Sequence, residues 1–380
     1  MKKIYLDANS NYGLVETVAN SLSAMPLVGN PQSVHTIGQG LKAIVEESRE
    51  KVRRFFGIAD NFDIFFCSGA TECANWLMFC LGKNFEKNNK LVCCSAVEHA
   101  CVLESFKSYI PSDQRILFSF DYSNPNYFDQ TVSVVNKHLE KLGALVLIHS
   151  HNETGVQLPL EEVVDFIRSR NSNAIIITDA VQSACKFDSL NLNLFDASFI
   201  SGHKIGALAG VGVLIVKKDF PLRAFIKGGS QERYLRGGTE NYHAIWSLSL
   251  ALDYWQNIGF WETEYRRKKE ILKMELNERL GNRALFLFEN LRTVPNTLHL
   301  VVEGIKSTEL LVALDLRGVC CSAGSSCYSG KPITPALEGF GIPKELAGGA
   351  LRLSFRYDIL EEDLIEAARI ISETIESLKH

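Results

Sequence analysis

The sequence predicts an α/β protein with a mostly parallel seven-stranded sheet, helices on both faces of that sheet, and a smaller α+β domain. Between about residues 60 and 216, short apolar runs alternate with helical patterns, which is typical of a parallel sheet covered by helices. After about residue 280, strand-like and helix-like segments mix without that alternation, which favours a separate α+β unit. We therefore expect a large domain over residues 15–255 and a small domain formed by residues 1–14 and 256–380.

The seven strands of the predicted sheet are short apolar runs bounded by polar residues. They lie at residues 64–67, 91–95, 116–120, 144–150, 174–178, 197–201 and 211–216. Five of these runs lead into the polar segments SGATE, VEH, HNETG, DAVQS and SGHK. One polar loop has no functional meaning by itself, but ligands of open parallel sheets bind beyond the carboxyl ends of strands. The five segments together therefore predict a site at that edge of the sheet.

The remaining elements follow the sheet along the chain. A helical pattern over residues 241–280 is interpreted as a connector, and its basic run at residues 266–269 as a solvated face. Beyond it, the sequence predicts strands at 284–288 and 297–302, a helix at 308–316, strands near 319 and 351, and a final helix over 361–378.

Composition and charge exclude several classes of protein. Of the 380 residues, 46% are hydrophobic and 22% are charged, the balance of a soluble globular protein. The net charge of −4 gives no sign of a basic surface for nucleic acid or anionic membrane. The opening residues, MKKIYLDANSNYG, contain neither the apolar stretch of a signal peptide nor a membrane span. We expect a cytoplasmic protein that acts on a small substrate and binds neither nucleic acid nor membrane directly.

The ten cysteines are interpreted mostly as reduced core residues. Cys93-Cys94 and Cys320-Cys321 are adjacent pairs within apolar runs, and no CxxC pairs stand at zinc-binding spacing, so no metal site is expected. Cys327 differs because the surrounding sequence, GSSCYSG, is typical of a loop. A thiol in such a place requires an explanation other than packing.

Lys204 and Asp179 are the first candidates for chemistry. Lys204 follows a predicted strand in SGHK and precedes the small-residue run GALAGVG, so it stands on a turn. It is either a solvated charge or a desolvated amine that forms a Schiff base with an aldehyde cofactor such as pyridoxal phosphate (PLP). Asp179 ends an apolar run and suits the carboxylate that keeps the PLP pyridine nitrogen protonated; its alternative role is a helix cap. Gln182, one short turn later, would lie near the ring oxygen.

The phosphate of such a cofactor needs backbone N–H groups at a helix start, together with hydroxyls. The segment SGATE at residues 68–72 stands between a strand and a helical pattern. It is either this phosphate cradle or an ordinary strand-to-helix turn. Ser201 and His203 flank Lys204 closely, and the Gly-rich segment ending at Thr239 offers a further hydroxyl.

Ten segments resemble, in the family's order, those of the group I (NifS/IscS-type) cysteine desulfurases, class-V aminotransferases of the PLP-dependent transferase fold type I. These segments are YLD, GNPQSVHTIG, FCSGATE, VEHACVL, HNETGV, TDAVQS, SGHK, GGSQERYLRGGTEN, CSAGSSC and ALRLSF. Together they cover nearly the whole chain. The resemblance implies the PLP cofactor, L-cysteine as the substrate and a homodimer.

The resemblance also implies roles for single residues. Lys204 matches the Schiff-base lysine, Asp179 the pyridinium partner and Gln182 the residue near the phenolic oxygen. His99 matches a histidine that stacks on the PLP ring and is placed for proton transfer, although without the family pattern it is more simply a core histidine. The other matched positions are Ala70, Thr71, Ser201 and His203 at the phosphate, Asn152 near cofactor and substrate, Thr239 at the phosphate of the neighbouring subunit, and Arg352 at the substrate carboxylate.

The implied reaction converts L-cysteine to L-alanine, while Cys327 takes the sulfur as a persulfide for a sulfur-acceptor protein. Iron–sulfur cluster assembly, tRNA thiolation and DNA sulfur modification are the candidate destinations. The alternatives are another fold type I activity, such as a selenocysteine lyase, and an inactive scaffold in sulfur delivery. The first would not need the Cys327 thiol, and the second would have no reason to retain all four of Lys204, Asp179, His99 and Cys327.

Two segments depart from the family pattern. Where the family commonly reads ATTP after the first strand, this chain has NSNYG at residues 9–13. After Lys204, the usual GPKG is replaced by ALAG at residues 207–210. Both stretches lie near the active-site entrance in the family, so we expect them to affect substrate entry and the pathway served more than the reaction class.

Overall fold

The computed structural model describes residues 2–26, 28–171, 173–324 and 334–378. The strands are β1 (Ile4–Tyr5), β2 (Phe62–Cys67), β3 (Leu91–Ser95), β4 (Arg115–Phe118), β5 (Leu142–Val146), β6 (Ile175–Asp179), β7 (Ala197–Ser201), β8 (Gly212–Lys217), β9 (Ala284–Phe286), β10 (Thr297–Val302), β11 (Val319–Cys320) and β12 (Ala350–Ser354). The α-helices are α1 (Glu16–Ser21), α2 (Thr36–Phe55), α3 (Ala70–Phe85), α4 (Ala100–Tyr109), α5 (Tyr127–Lys137), α6 (Leu160–Arg168), α7 (Tyr242–Ile258), α8 (Glu262–Leu280), α9 (Ser307–Leu316), α10 (Pro335–Gly339), α11 (Lys344–Ala347) and α12 (Glu361–Leu378). Within the described ranges, no helix combines the length and the apolar character needed to cross a membrane.

Strands β2 to β8 form one sheet in the order β2-β8-β7-β6-β5-β3-β4. Strand β8 runs antiparallel to both of its neighbours, and the other neighbouring pairs are parallel. Strands β5, β6 and β7 are buried almost without interruption, as expected for parallel strands covered on both faces. The predicted mostly parallel, seven-stranded sheet is confirmed.

Helices cover both faces of this sheet because successive strand side chains point to opposite sides. Phe65 and Leu214 pack in a core cluster with residues of α3 and α4. Ile64 and Ile200 pack in another cluster with residues of α2 and α7. Since β2 and β7 both pair antiparallel with β8, the carboxyl ends of β2, β3, β5, β6 and β7 share one edge.

Two smaller sheets lie outside the central one. The order β12-β10-β9 forms an antiparallel sheet, and β1 pairs in parallel with β11. Strand β10 pairs His299 with Arg352 of β12, and a bridge joins Asp7 to Ser354 at the end of β12. The first residues of the chain are therefore held against one of its last strands. The division into domains at residues 15 and 256 remains a prediction.

The single helix predicted over residues 241–280 is wrong, because α7 and α8 occupy this stretch. Gly259 separates them with a φ of +79°, a conformation that glycine reaches without a steric cost. Asp188 Oδ1 accepts hydrogen bonds of 2.9 Å from the N–H groups of Trp261 and Glu262. Glycine thus ends one helix and a distant carboxylate caps the next.

The basic run at residues 266–269 is only partly solvated, contrary to the sequence interpretation. Lys268 is buried and donates to Tyr357 O over 2.7 Å. Lys269 donates to Thr293 Oγ1 over 2.7 Å, and burial lowers the pKa of its ammonium to about 8. Both lysines follow the core residue Tyr265 at helical spacing, so the periodicity of α8 turns them towards the protein.

Candidate active site

Most of the predicted site residues line one cavity, which opens where β2, β3, β5, β6 and β7 end. Its volume is about 440 Å³, and its lining includes Ala70, Thr71, His99, Asn152, Asp179, Gln182, Ser201, His203, Lys204 and Arg352. Thr239 instead lines an adjacent cavity of about 200 Å³, which shares Ser68 and Gly210 with the first. Cys327 lies outside the described residues.

Lys204 stands on a tight turn directly after β7. At the start of this turn, Gly202 packs so closely that an added Cβ would come within 2.5 Å of Val211 Cγ1. The Lys204 ammonium donates to the main-chain carbonyl oxygens of Asn9 and Ser10 over 2.7 and 2.6 Å. The first segment of the chain therefore holds Lys204 Nζ at the cavity.

Asp179, the last residue of β6, is a buried carboxylate. Its Oδ1 accepts a hydrogen bond of 2.9 Å from Val181 N–H, so it also stabilises the turn after the strand. Burial raises the pKa of Asp179 to about 7, and the positive charge of Lys204 opposes this shift. A cation placed beside the carboxylate would keep it ionised. The position therefore fits a protonated ring nitrogen.

His99 caps the N-terminus of α4. Its Nδ1 accepts a hydrogen bond of 3.2 Å from Cys101 N–H and lies 3.1 Å from Cys101 Sγ. Because a backbone N–H only donates, we assign the imidazole proton to Nε2. Burial and, to a smaller extent, Lys204 lower the pKa of His99 to about 4. At neutral pH, His99 is therefore uncharged and holds one proton on Nε2.

Ala70 and Thr71 begin α3, a helix of 16 residues. The N–H groups of a first helical turn have no partners within the helix and carry partial positive charge. Nearby on the cavity wall, Ser201 Oγ lies 2.9 Å from His203 Nδ1, and burial, followed by Lys204, lowers the pKa of His203 to about 4. This set of N–H and hydroxyl donors fits a phosphate group.

Arg352 is only 1% exposed on β12, yet its side chain reaches the cavity wall. Nη1 donates to Asn152 O over 2.9 Å. Nη2 donates to Asp7 Oδ1 over 2.6 Å and to Ser10 Oγ over 2.7 Å. Three acceptors from two segments thus fix the plane of a guanidinium, the group best suited to two-point binding of a carboxylate.

The sequence does not predict the contributions of Asp7, Asn9, Ser10 and Cys101. Asn9 is buried, and its carbonyl oxygen accepts hydrogen bonds from both Lys204 Nζ and Gln182 Nε2, at 2.7 and 3.0 Å. The only sequence signal for Asn9 and Ser10 is their place in a segment that departs from the family pattern. Cys101 gives no such signal, because a cysteine in the first turn of a helix is indistinguishable from a small core residue.

Glu98, beside His99, provides a prediction about pH and stability. Its Oε1 accepts hydrogen bonds from Ser95 Oγ and Ile148 N–H at 2.5 and 2.7 Å, and burial raises its pKa from 4.5 to about 8. The folded protein therefore binds one proton more than the unfolded chain between about pH 5 and 8. Relative to Glu98→Gln, the wild type should lose on the order of 1.4 kcal/mol of unfolding free energy per pH unit in this window.

Urea unfolding of both proteins without added cofactor, at pH 5, 6, 7 and 8, measures this difference. Other titrating groups are common to the two proteins and cancel in the comparison. A difference that stays constant, or that changes in favour of the wild type as the pH rises, would contradict a protonated Glu98.

Comparison with known proteins assigns the family. The aminotransferase class-V family matches residues 4–366. The cysteine desulfurase of Nostoc sp. (strain PCC 7120) is 31% identical over 100% of this chain and 94% of that protein. The chain belongs to the cysteine desulfurase family. A solved NifS-like protein superposes on this family member with a TM-score of 0.86 at 26% identity, covering 99% of this chain and 100% of its own. A solved NifS-like protein from Rickettsia africae ESF-5 superposes with a TM-score of 0.84 at 25% identity, covering 99% of both chains.

Cysteine desulfurases and the other class-V aminotransferases are PLP-dependent. Three features of the cavity in this chain fit PLP. It offers a lysine amine on the turn after β7, a buried carboxylate whose pKa burial raises, and the N-terminus of a long helix beside hydroxyl groups. The family membership and the PLP cofactor predicted from the ten sequence segments are thus confirmed.

Proposed function

We propose that this protein is a cysteine desulfurase that converts L-cysteine to L-alanine and receives the sulfur on Cys327 as a persulfide. The observation that carries the proposal is the meeting of four groups in one cavity. These groups are an amine at Lys204, a buried carboxylate at Asp179, a neutral imidazole at His99 and an oriented guanidinium at Arg352.

Eight described residues of one subunit would hold PLP. Lys204 would bond its aldehyde carbon, Asp179 would face its pyridine nitrogen, and His99 would stack on its ring. The other five are Gln182 at the phenolic oxygen and Ala70, Thr71, Ser201 and His203 at the phosphate, with Thr239 reaching the phosphate of a second subunit. When bound, PLP supplies an electron sink for the α-carbon of an amino acid.

The residues around that cofactor divide the remaining tasks. Arg352 binds the α-carboxylate of L-cysteine, with Asn152 beside it, and so directs the α-carbon towards Lys204. Lys204 Nζ removes the α-proton as a base, which requires the neutral amine. His99 holds a proton on Nε2 at neutral pH, so it is able to give a proton to the substrate side.

Sulfur transfer balances without any further reagent. The Cys327 thiolate attacks the substrate sulfur, so that an S–S bond forms while the Cβ–S bond of the substrate breaks. The electron pair of that Cβ–S bond stays on the carbon skeleton, which is protonated to L-alanine. L-Cysteine and one enzyme thiol thus become L-alanine and one enzyme persulfide, which passes its outer sulfur to an acceptor protein.

The deciding experiment is to incubate the purified, PLP-loaded protein with L-cysteine and to measure alanine and sulfide, with a reducing thiol present to release the persulfide sulfur. We expect equal amounts of both products. Alanine formation only from selenocysteine would favour the selenocysteine lyase alternative. Absence of alanine from either amino acid would favour the inactive scaffold.

Arg352→Ala should weaken the use of L-cysteine, because the charge that anchors the α-carboxylate is lost. We expect KM to increase by roughly tenfold to a hundredfold, while the absorbance of bound PLP remains. Arg369→Ala is the matched control, since Arg369 pairs with Glu366 of its own helix and is not among the residues lining the cavity. Unchanged cysteine kinetics in Arg352→Ala would remove Arg352 from the substrate site.

We also propose that the protein acts as a homodimer. Val28, Val34 and Tyr234 are 72%, 93% and 74% exposed in the single chain, and a second subunit would remove these apolar side chains from water. The segments that carry them are joined by a hydrogen bond of 2.8 Å from Gln32 Nε2 to Glu240 Oε1. Thr239 lies next to this bond, so a second subunit on this surface would approach it. Light scattering should give twice 42.4 kDa; a mass of one chain would contradict the proposal.

A cytoplasmic location is part of the same proposal. The nine cysteines in the described part of the chain are free thiols, which fits a reducing compartment. Cell fractionation with an antibody to the protein tests this expectation, and recovery with secreted or membrane-bound material would contradict it.

A further inference from the structure

Arg352 already has a carboxylate partner within the chain. Its Nη2 donates to Asp7 Oδ1 over 2.6 Å and to Ser10 Oγ over 2.7 Å, so both hydrogens of Nη2 are in use. Nη1 donates to Asn152 O, while Nε is fully buried. A ligand carboxylate that enters the cavity therefore meets a guanidinium whose charge another carboxylate partly neutralises.

Ser10 connects this pair to the cavity. Its hydroxyl donates to Asp7 Oδ1 over 2.9 Å and accepts from Arg352 Nη2, so the three side chains form one hydrogen-bonded cluster. Its carbonyl oxygen accepts from Lys204 Nζ over 2.6 Å. Ser10 and Arg352 line the cavity, whereas Asp7 contacts Arg352 Nη2 but is not among the lining residues. One residue thus contacts both the proposed base and the proposed carboxylate anchor.

We propose that Asp7 competes with the substrate for Arg352 and thereby sets the affinity of the site for an α-carboxylate. Ser10 moderates this competition, because its hydroxyl occupies part of the hydrogen-bonding capacity of Asp7. The inference rests on the proposed function, in which Arg352 binds the carboxylate of an amino acid. It adds Asp7 and Ser10 as a specificity-determining pair. Asp7 acts on the ligand through Arg352, and Ser10 lies beside the ligand.

Electrostatics gives the direction of each effect. Asp7→Asn keeps an oxygen that accepts hydrogen bonds from Arg352 and Ser10 but removes the competing negative charge. Carboxylate-bearing ligands should therefore bind more tightly, by about tenfold. Ser10→Ala leaves Asp7 to pair with Arg352 alone and removes a hydroxyl beside the ligand, so the same ligands should bind about threefold to tenfold more weakly.

The test uses two ligands that differ only in the carboxylate: L-alanine and ethylamine. Each is titrated into the PLP-loaded protein, and its dissociation constant is obtained from the change in cofactor absorbance, without turnover. The ratio of the dissociation constant of ethylamine to that of L-alanine isolates the contribution of the carboxylate, and a higher ratio means a stronger preference for L-alanine. We expect this ratio to move in favour of L-alanine in Asp7→Asn and against it in Ser10→Ala.

Asp358→Asn is the matched control. Asp358 Oδ2 lies 2.7 Å from Arg356 Nη2, which is a similar aspartate–arginine pair outside the cavity lining, so the ratio should stay at its wild-type value. If Asp7→Asn does not fold, Asp7→Ser takes its place, because it removes the same negative charge and should move the ratio in the same direction.

Two failures are distinguishable. If the wild type binds L-alanine and ethylamine equally, Arg352 is not a carboxylate anchor, and both the proposed substrate site and this inference are wrong. If the wild type prefers L-alanine but the ratio in Asp7→Asn is unchanged or lower, only the proposed competition by Asp7 is wrong, and the proposed substrate site stands. An increase of the ratio in Ser10→Ala would contradict the role given to Ser10.

Discussion

Replacing Lys204 with alanine is expected to abolish turnover of L-cysteine and the visible absorbance of the purified protein. Lys204 is the amine that would bond the PLP aldehyde and then act as the base at the substrate α-carbon. Loss of a general base alone lowers rates by about 10²- to 10⁴-fold. Loss of the covalent bond also removes the absorbing linkage. An alanine assay of the PLP-reconstituted proteins and an absorbance spectrum of the proteins as purified measure the two effects.

Lys204→Arg is the matched variant, because a guanidinium retains the positive charge beside Asn9 O and Ser10 O but does not form the bond to PLP. It should be as inactive as Lys204→Ala. Borohydride reduction of the loaded wild type, followed by peptide mass spectrometry, should locate the cofactor on Lys204. The competing amine is Lys186, which donates to Lys204 O over 3.3 Å and whose pKa burial lowers to about 7. Cofactor on Lys186 would contradict the assignment.

Replacing Cys327 with serine is expected to stop alanine formation from L-cysteine while PLP binding persists. The residues proposed to hold PLP and the substrate carboxylate are all elsewhere in the chain, so the absorbance change on adding L-cysteine should remain. Without the thiolate, the substrate sulfur has no acceptor, and the chemical step should be slowed by several orders of magnitude. In the wild type, mass spectrometry should show one added sulfur on the peptide that contains Cys327.

Three described cysteines serve as controls for this experiment. Cys101 lines the cavity, but burial raises the pKa of its thiol far above neutrality. Burial also raises the pKa of Cys321 to about 12, and burial with the nearby Asp315 raises that of Cys320. Such thiols stay protonated and are poor nucleophiles, so the serine variants of Cys320 and Cys321, which do not line the cavity, should keep normal activity. Cys101 is a control for the mapping of sulfur only, because its Sγ lies 3.1 Å from His99 Nδ1. Normal alanine production by Cys327→Ser, or sulfur added only to one of these three, would contradict the assignment.

The sequence brings candidate site residues together where they stand at strand ends, and their roles stay predictions. Asp179 ends β6 and Lys204 stands just after β7, and these neighbouring strands are parallel, so a correct order of strands already brings both residues to the same edge. Arg352 is different, because nothing in its local sequence, ALRLSF, indicates that its partners are Asp7 and Asn152. Its role comes from family resemblance, while its actual contacts depend on sheet pairing.

The errors in the predicted fold have the same origin. The helical periodicity of residues 241–280 continues through Gly259, so the sequence pattern alone does not show where α7 ends. The break is stabilised by Asp188, which lies more than seventy positions earlier and caps α8. Charge alone likewise predicts that Lys268 and Lys269 face solvent, although their spacing after Tyr265 places them on the packed side of the helix.

Apolar periodicity predicts the α/β class and the seven strands from the sequence, because it is a property of neighbouring residues. The family and the proposed PLP residues come instead from the resemblance of ten segments to known cysteine desulfurases. What surrounds Lys204 and Arg352 in the cavity is visible only in the folded chain. Asn9 and Ser10 accept hydrogen bonds from Lys204 across nearly 200 positions, and Asp7 pairs with Arg352 across 345. Contacts at such separations arise only when the segment after β1 folds against both the turn after β7 and strand β12. Burial of the apolar neighbours, and not a local preference, holds these polar groups together.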